Sequence, residues 1–194
     1  MYEIPDELTS GPFTLARAAE FGLTERVVRG PRFRAPWPGV RVLRETPDTM
    51  LERCRAAALV LPDTAVFSHG TALYLGDWLT PHPKTTRPAY ARREPEVGTA
   101  VHISVPVDTV RPGGRGLVAH RWDPIPGDVI DLDGLTVSSG RRTWCDLGAS
   151  GASRMDLVML ADALRRHGDP GGRLLAERLA TWRQRRGWTR FSRR

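Results

Sequence analysis

The sequence predicts an α+β fold in two domains, residues 1–45 and 46–194. Three observations carry that expectation. Residues 14–43 read as two short helices followed by a hairpin. Residues 49–61 and 154–167 repeat apolar side chains with the period of a helix. Residues 101–106, 117–122 and 129–137 read as strands punctuated by glycine turns. A length of 194 residues allows one or two domains, and 40% hydrophobic residues suffice for a buried core.

In the first domain Thr14 is placed to cap a helix over 14–21, with Leu15, Ala18 and Ala19 as its apolar face. Gly22 ends it. Thr24 caps a second helix over 23–30, Val27 and Val28 point inward, and Gly30 stops it. Phe33 and residues 40–43 are expected strands, joined by the turn Pro36-Trp37-Pro38-Gly39. A short helix, a glycine turn, a second capped helix and a β-hairpin is the order of a winged helix-turn-helix.

The second domain is expected to be a mixed α+β unit. Pro47 and Asp48 open it. A helix over 49–61 places Met50, Leu51, Cys54, Ala58 and Leu61 on one face. Residues 65–67 form a strand, and Ser68 caps a helix that runs to Leu75. Residues 80–99, rich in Pro, Thr and Arg, form a loop. Residues 101–106 and 117–122 pair back on each other across a glycine-rich turn at 111–116. Residues 129–132 and 135–137 form a hairpin about Asp133-Gly134. Ser139 caps a helix over 141–149 that carries an Arg142–Asp146 ion pair at i, i+4. Two helices complete the chain, one over 154–167 with Leu157, Leu160, Ala161 and Leu164, the other over 172–186 with Leu175, Leu179 and Trp182. The last of them is basic.

The formal net charge is +7, carried by 28 arginines and one lysine, Lys84. Its placement says more than its size. The last 44 residues hold eleven basic and four acidic groups. Residues 11–44 hold seven arginines against Glu20 and Glu25, and residues 51–150 are neutral. Two basic ends around a neutral middle point to a polyanionic partner, double-stranded DNA. Thr24, Glu25, Arg26 and Arg29 lie on the second helix, where donors for base edges are needed. Arg32, Arg34 and Arg41 are placed for phosphates. Trp37, at the tip of the hairpin, reads equally well as a groove contact and as packing against the helix pair. Arg183, Arg185, Arg186 and Arg190, interleaved with aromatics, make a second candidate DNA contact. The plain alternative for the arginines is a solvated face, and it weighs less because helix and hairpin stand in the expected order. With both ends engaged, a monomer or weak dimer spans an asymmetric operator.

No catalytic constellation emerges, so the chain reads as a non-enzyme without metal or cofactor. Lys84 is preceded at the nuclease offset by His82 rather than an acid. Asp131-Leu132-Asp133 is better explained by the hairpin turn than by a metal pair. Ser68-His69 reads as a cap and a hydrogen-bonded histidine. Residues 113–116 form a turn between strands rather than a phosphate loop, and His102, His120 and His167 lack metal-ligand spacing. Cys54 and Cys145 are too isolated for a disulfide framework or a cysteine zinc site. No apolar run is long enough to cross a bilayer and the N-terminus does not read as a signal peptide, so a cytoplasmic protein is expected.

The order of several segments is also informative. The helix-turn-helix and hairpin are followed by Phe67-Ser68-His69-Gly70-Thr71-Ala72-Leu73 and by Asp133-Gly134-Leu135-Thr136-Val137. Arg141-Arg142-Thr143-Trp144-Cys145-Asp146-Leu147 and Asp162-Ala163-Leu164-Arg165-Arg166 come next. This order resembles the AbiEi-type antitoxin-like winged-helix family of actinobacteria and their phages, over residues 12–190. The resemblance implies a transcriptional repressor that binds DNA through its N-terminal domain, as a host regulator or a phage immunity-type repressor. It also implies an alternative, an autoregulating antitoxin of a type IV toxin–antitoxin pair that neutralises a toxin protein. Relatives that continue into a Vsr-like nuclease domain carry their catalytic residues there, and this chain has no positions onto which those residues map.

Overall fold

A computed structural model describes residues 4–78 and 100–166, together with 176, 177 and 180. The protein is mixed α+β, with six α-helices and two sheets among the described residues. It divides into two units, Met1–Asp63 and Thr64–Arg194. The boundary expected at 45/46 therefore moves along the chain, and the helix over 49–61 joins the first unit. The reason is local. Trp37 Nε1 donates to the Arg53 carbonyl at 3.0 Å, and the Arg53 guanidinium pairs with Asp48 at 2.6 Å. The expected loop at 80–99 lies outside the described residues. So does the expected helix at 172–186, apart from residues 176, 177 and 180, which are helical.

The first unit begins with a 3-10 turn, Asp6–Leu8, and strand β1, Phe13–Thr14. Helices α1, Leu15–Glu20, and α2, Glu25–Val28, follow. Strands β2, Phe33–Arg34, and β3, Val40–Leu43, lead to α3, Met50–Ala58. The strands form an antiparallel sheet in the order β1-β3-β2, with Phe13 opposite Arg41 and Phe33 opposite Leu43. β1 escapes a sequence pattern because two residues are too few to show alternation. Thr14 ends that strand and caps α1, its hydroxyl accepting from the Arg17 amide at 3.1 Å. Leu8, Phe13, Ala18, Leu23, Val28 and Phe33 form the core, and the Phe13 and Phe33 rings meet edge to face at 5.6 Å.

The second unit contains β4, Val66–Phe67, then α4, His69–Leu75, β5, Val101–Pro106, and β6, Leu117–Trp122. It continues with β7, Val129–Leu132, β8, Leu135–Ser138, α5, Gly140–Ala149, and α6, Arg154–Arg166. The sheet order is β6-β5-β4-β8-β7. The β7–β8 hairpin forms where expected. Asp133 (φ 51°) and Gly134 (φ 78°) both have positive φ, as a two-residue turn matching strand twist requires. The β5–β6 pair corrects the expectation. It is parallel, running from Val101 opposite Leu117 to Pro106 opposite Trp122. The chain leaves the end of β5 and must return along its whole length, and residues 107–116 can span that distance when extended. The Arg121 guanidinium holds the departing chain through the carbonyls of Pro106 (2.9 Å), Val107 and Thr109. Leu73, Leu147, Leu157, Leu160 and Leu164 form a core between α4, α5 and α6. Trp144 Nε1 donates to the Leu157 carbonyl at 2.8 Å and ties α5 to α6.

The hairpin turn yields a stability test. Gly134→Val forces a β-branched side chain into left-handed backbone and is expected to cost about 1–2 kcal/mol. Gly134→Asn is expected to cost less, since Asn tolerates that region. Urea denaturation midpoints of the two variants provide the comparison.

Candidate functional site

The arginines of the first unit separate into two groups by what holds them. Arg41 donates to the Val28 carbonyl at 3.0 Å and the Val40 carbonyl at 2.9 Å, closing the C-terminal end of α2 against β3. Arg34 reaches the Thr46 carbonyl at 3.2 Å and Asp48 at 3.4 Å. Arg44 donates to the Phe33 carbonyl at 3.1 Å, and Arg17 pairs with Glu20 at 2.6 Å while lying over the Phe21 ring. Arg34, Arg41 and Arg44 fasten one element to the next, whereas the Arg17–Glu20 pair lies within α1 and is exposed. Arg34 and Arg41 therefore enter the phosphate-contact expectation as groups already engaged by the scaffold.

The α2 region is different. Thr24, Glu25, Arg26, Arg29 and Arg32 are all exposed. Arg26 has no hydrogen-bond or ion-pair partner among the described residues. Arg29 bonds Glu25 at 2.5 Å, with both side chains about two-thirds exposed (68% and 64%). Thr24 stands at the N-cap position but makes no side-chain cap bond. α2 is shorter than the expected 23–30, because Arg29 and Gly30 close it with amide bonds to the Glu25 and Val27 carbonyls. Trp37, read from sequence as equally suited to a groove or to packing, is packed. It is 8% exposed and its indole donates to Arg53. Arg183, Arg185, Arg186 and Arg190 lie outside the described residues.

The second unit holds two polar clusters. In the first, the expected Arg142–Asp146 pair forms and is buried, with Nε to Oδ1 at 2.8 Å. Arg142 also reaches Asp128 at 3.0 Å and the Asp123 carbonyl at 3.3 Å, and it lies 4.7 Å from the centre of the Trp122 ring. Attraction to Asp146 and Asp128 holds its guanidinium charged against the opposing effect of burial. Asp131 accepts from the Gly134 amide at 3.1 Å, so it serves the hairpin turn as expected.

The second cluster is one that sequence spacing missed. His69, His102 and His120 form a stack, with ring centroids 3.7 Å apart for His69–His120 and 5.3 Å for His102–His120. The expected pairing of β5 and β6 as a returning hairpin hid it, because only the parallel register places Ser104 opposite His120. Ser68 is not a side-chain cap either. Its hydroxyl meets His69 Nδ1 at 2.9 Å. Burial, with His120, His102 and Arg142 nearby, pushes His69 well below the ordinary imidazole range. Burial, with His102 and Arg111, lowers His120 to about 4. Burial pushes the Cys54 thiol up to about 12, which makes it a packing residue and a poor nucleophile. Among the described residues, no three His, Cys, Asp or Glu side chains converge as a metal site. None of the described helices is long and apolar enough to cross a membrane.

No family model matches the chain, and no curated protein is significantly similar to it.

Two outcomes follow from the second unit. A base whose folded pKa is depressed binds its proton more readily when unfolded. The histidine stack therefore contributes stability that is complete above about pH 6.5 and is lost as pH falls toward 4. Thermal melts are expected to be flat from about pH 8 to 7 and to shift downward below about pH 6, and His120→Gln is expected to reduce that acid sensitivity. Separately, Asp128→Ala leaves the buried Arg142 with one carboxylate fewer and is expected to cost about 3–5 kcal/mol in chemical denaturation. The double variant Asp128→Ala/Arg142→Met is expected to recover part of that loss.

Proposed function

We propose that the protein is a sequence-specific DNA-binding transcriptional repressor that acts by occluding an operator. One observation carries this reading. Arg26, Arg29 and Arg32 are exposed on α2 and the turn that follows it, and Arg26 has no hydrogen-bond or ion-pair partner among the described residues. The element order α1, α2, β2, β3 supports a winged helix-turn-helix, with α2 as the reading helix and the β2–β3 hairpin as the wing. The first turn of such a helix meets base edges in the major groove. Arg26 supplies a guanidinium with no internal competitor, and Thr24 supplies a hydroxyl. Arg29 begins in an ion pair with Glu25. Because that pair is exposed, exchanging Glu25 for a guanine edge costs little. Arg32 supplies a phosphate contact. Arg34 and Arg41 position the hairpin while leaving their charge near the surface. The basic tail, with Arg183, Arg185, Arg186 and Arg190, adds a second phosphate-binding contact, so a monomer or weak dimer suffices on an asymmetric site.

Selection of bound sequences from random duplexes tests the reading, and an enriched motif is the expected result. Weak, salt-sensitive binding with no motif would overturn it. Arg26→Ala and Arg29→Ala are each expected to relax preference at one base position, at a cost of about 1–3 kcal/mol. Arg185→Ala is expected to weaken all sequences alike and to lower the salt slope by about one unit. Equal behaviour of the two classes in fluorescence-anisotropy titrations would refute the division into readers and clamps.

A further inference from the structure

The link 107–116 joins the parallel strands β5 and β6, and its two ends are fixed. At the start the Arg121 guanidinium holds the Pro106, Val107 and Thr109 carbonyls, and the Thr109 amide donates to the Pro106 carbonyl at 3.1 Å. At the end the Val101 amide donates to the Gly116 carbonyl at 2.8 Å, and the Leu117 amide to the Gly114 carbonyl at 3.2 Å. The middle is different. The amides of Val110, Arg111, Gly113, Gly114 and Arg115 have no acceptor among the described residues. Arg111 and Arg115 are exposed and have no hydrogen-bond or ion-pair partner among the described residues. Arg121, Arg141 and Arg142 of the same unit are all engaged. Asp108, the acid of this link, is exposed and pairs with neither Arg111 nor Arg115.

The glycines add a second observation. Gly116 has φ 79°, so the backbone itself calls for glycine there. Gly113 has no positive φ, and a Cβ built on it would meet no atom within 4 Å. Neither backbone conformation nor internal packing accounts for glycine at 113. A glycine of that kind suits a place where an outside group comes close to the main chain. Val110, 85% exposed, and Val107, 67% exposed, leave apolar carbons on the same segment.

Amide and guanidinium donors without internal acceptors match phosphate oxygens, which only accept and carry negative charge. Here the donors are spread over six residues beside exposed apolar carbons. That spread suits a strand with repeating phosphates and apolar sugar edges better than a single small anion. We propose that the 110–115 segment binds the phosphate backbone of double-stranded DNA, a contact of the second unit additional to the first unit and the basic tail. Arg111 and Arg115 each take a phosphate, the amides around Gly113 donate to phosphate oxygens, and Val110 lies against the sugars. Such contacts position a duplex without reading its sequence. The inference rests on the DNA-binding reading above.

Fluorescence-anisotropy titrations of the full chain with a random-sequence duplex, at several salt concentrations, test it. Arg111→Ala/Arg115→Ala is expected to weaken binding about tenfold or more and to lower the salt slope by about two units. Its melting temperature is expected to stay unchanged, since both side chains are exposed and unpaired. Arg154→Ala removes an exposed arginine from the start of α6 and is expected to leave the slope unchanged. The motif selected from random duplexes is expected to be the same for the double variant and the native chain. In NMR titrations with the duplex, the Gly113 and Gly114 amide signals are expected to shift saturably. A native slope in the double variant, the same loss of slope per arginine in Arg154→Ala, or a stationary Gly113 signal at saturating duplex overturns this inference and leaves the reading of the first unit standing. Equal movement of the glycine signals by polyglutamate assigns the segment to an acidic protein surface and overturns it as well. Absence of any duplex binding by the native chain overturns the DNA-binding reading itself, and this inference with it.

Discussion

The second unit depends on Arg142. The sheet order β6-β5-β4-β8-β7 puts β6 and β7 at opposite edges, yet they are consecutive in the chain. Residues 123–128 make that crossing as a compact turn, in which the Asp128 amide donates to the Ile125 carbonyl at 3.0 Å. α5 holds both ends of the turn. Arg142 reaches the Asp123 carbonyl at its start and the Asp128 carboxylate at its end. Arg141 donates to the Gly127 carbonyl at 2.9 Å, and the Ser139 amide donates to the Asp128 carbonyl at 2.8 Å. Asp128 in turn accepts from the Ile125 amide, and Trp122 offers its ring to the guanidinium. One buried cation thus joins both sheet edges to the helix that covers them.

Such a buried ion cluster adds less stability than its contact distances suggest. Desolvating three charged groups offsets much of the attraction, and an apolar replacement of equal volume is often as stable. What the cluster supplies is position. Each of its partners accepts or donates from one direction only, so a slipped crossing or a shifted α5 leaves a charge unpaired in the interior. Gly127 shows how close the fit is. A Cβ built there would lie 1.9 Å from the Arg141 guanidinium, and its φ of 81° already favours glycine.

The parts of this structure that were legible in the sequence are those fixed by neighbours in the chain. Thr14 caps the helix that follows it, Asp133-Gly134 turns a hairpin, and Leu157, Leu160 and Leu164 face one core. Each is decided within four residues. What sequence missed depends on long-range pairing. β5 and β6 carry strand patterns, but alternation is the same for parallel and antiparallel partners, so the direction of pairing could not be read. The histidine stack followed that error, since its members are 33 and 18 residues apart and meet only in the parallel register. Arg142–Asp146 was found as a pair because i, i+4 is local. Its burial was not, because Asp128 arrives from the crossing and Trp122 from the end of β6.

The same distinction governs what an arginine count can say. Arg34, Arg41, Arg44, Arg121, Arg141 and Arg142 all donate to backbone carbonyls, and several bridge two or three at once. A planar guanidinium with five donors can do this from one position, whereas an ammonium group on a flexible stem is poorly suited to it. In a chain with 28 arginines and one lysine, part of the excess therefore serves as scaffold. Scaffold arginines still carry charge. Half-buried at the surface, Arg34 and Arg41 add to the positive field of the first unit while their donors serve its own carbonyls. Sequence charge thus gives the sign of the field, and the hydrogen bonds identify which arginines the scaffold already engages.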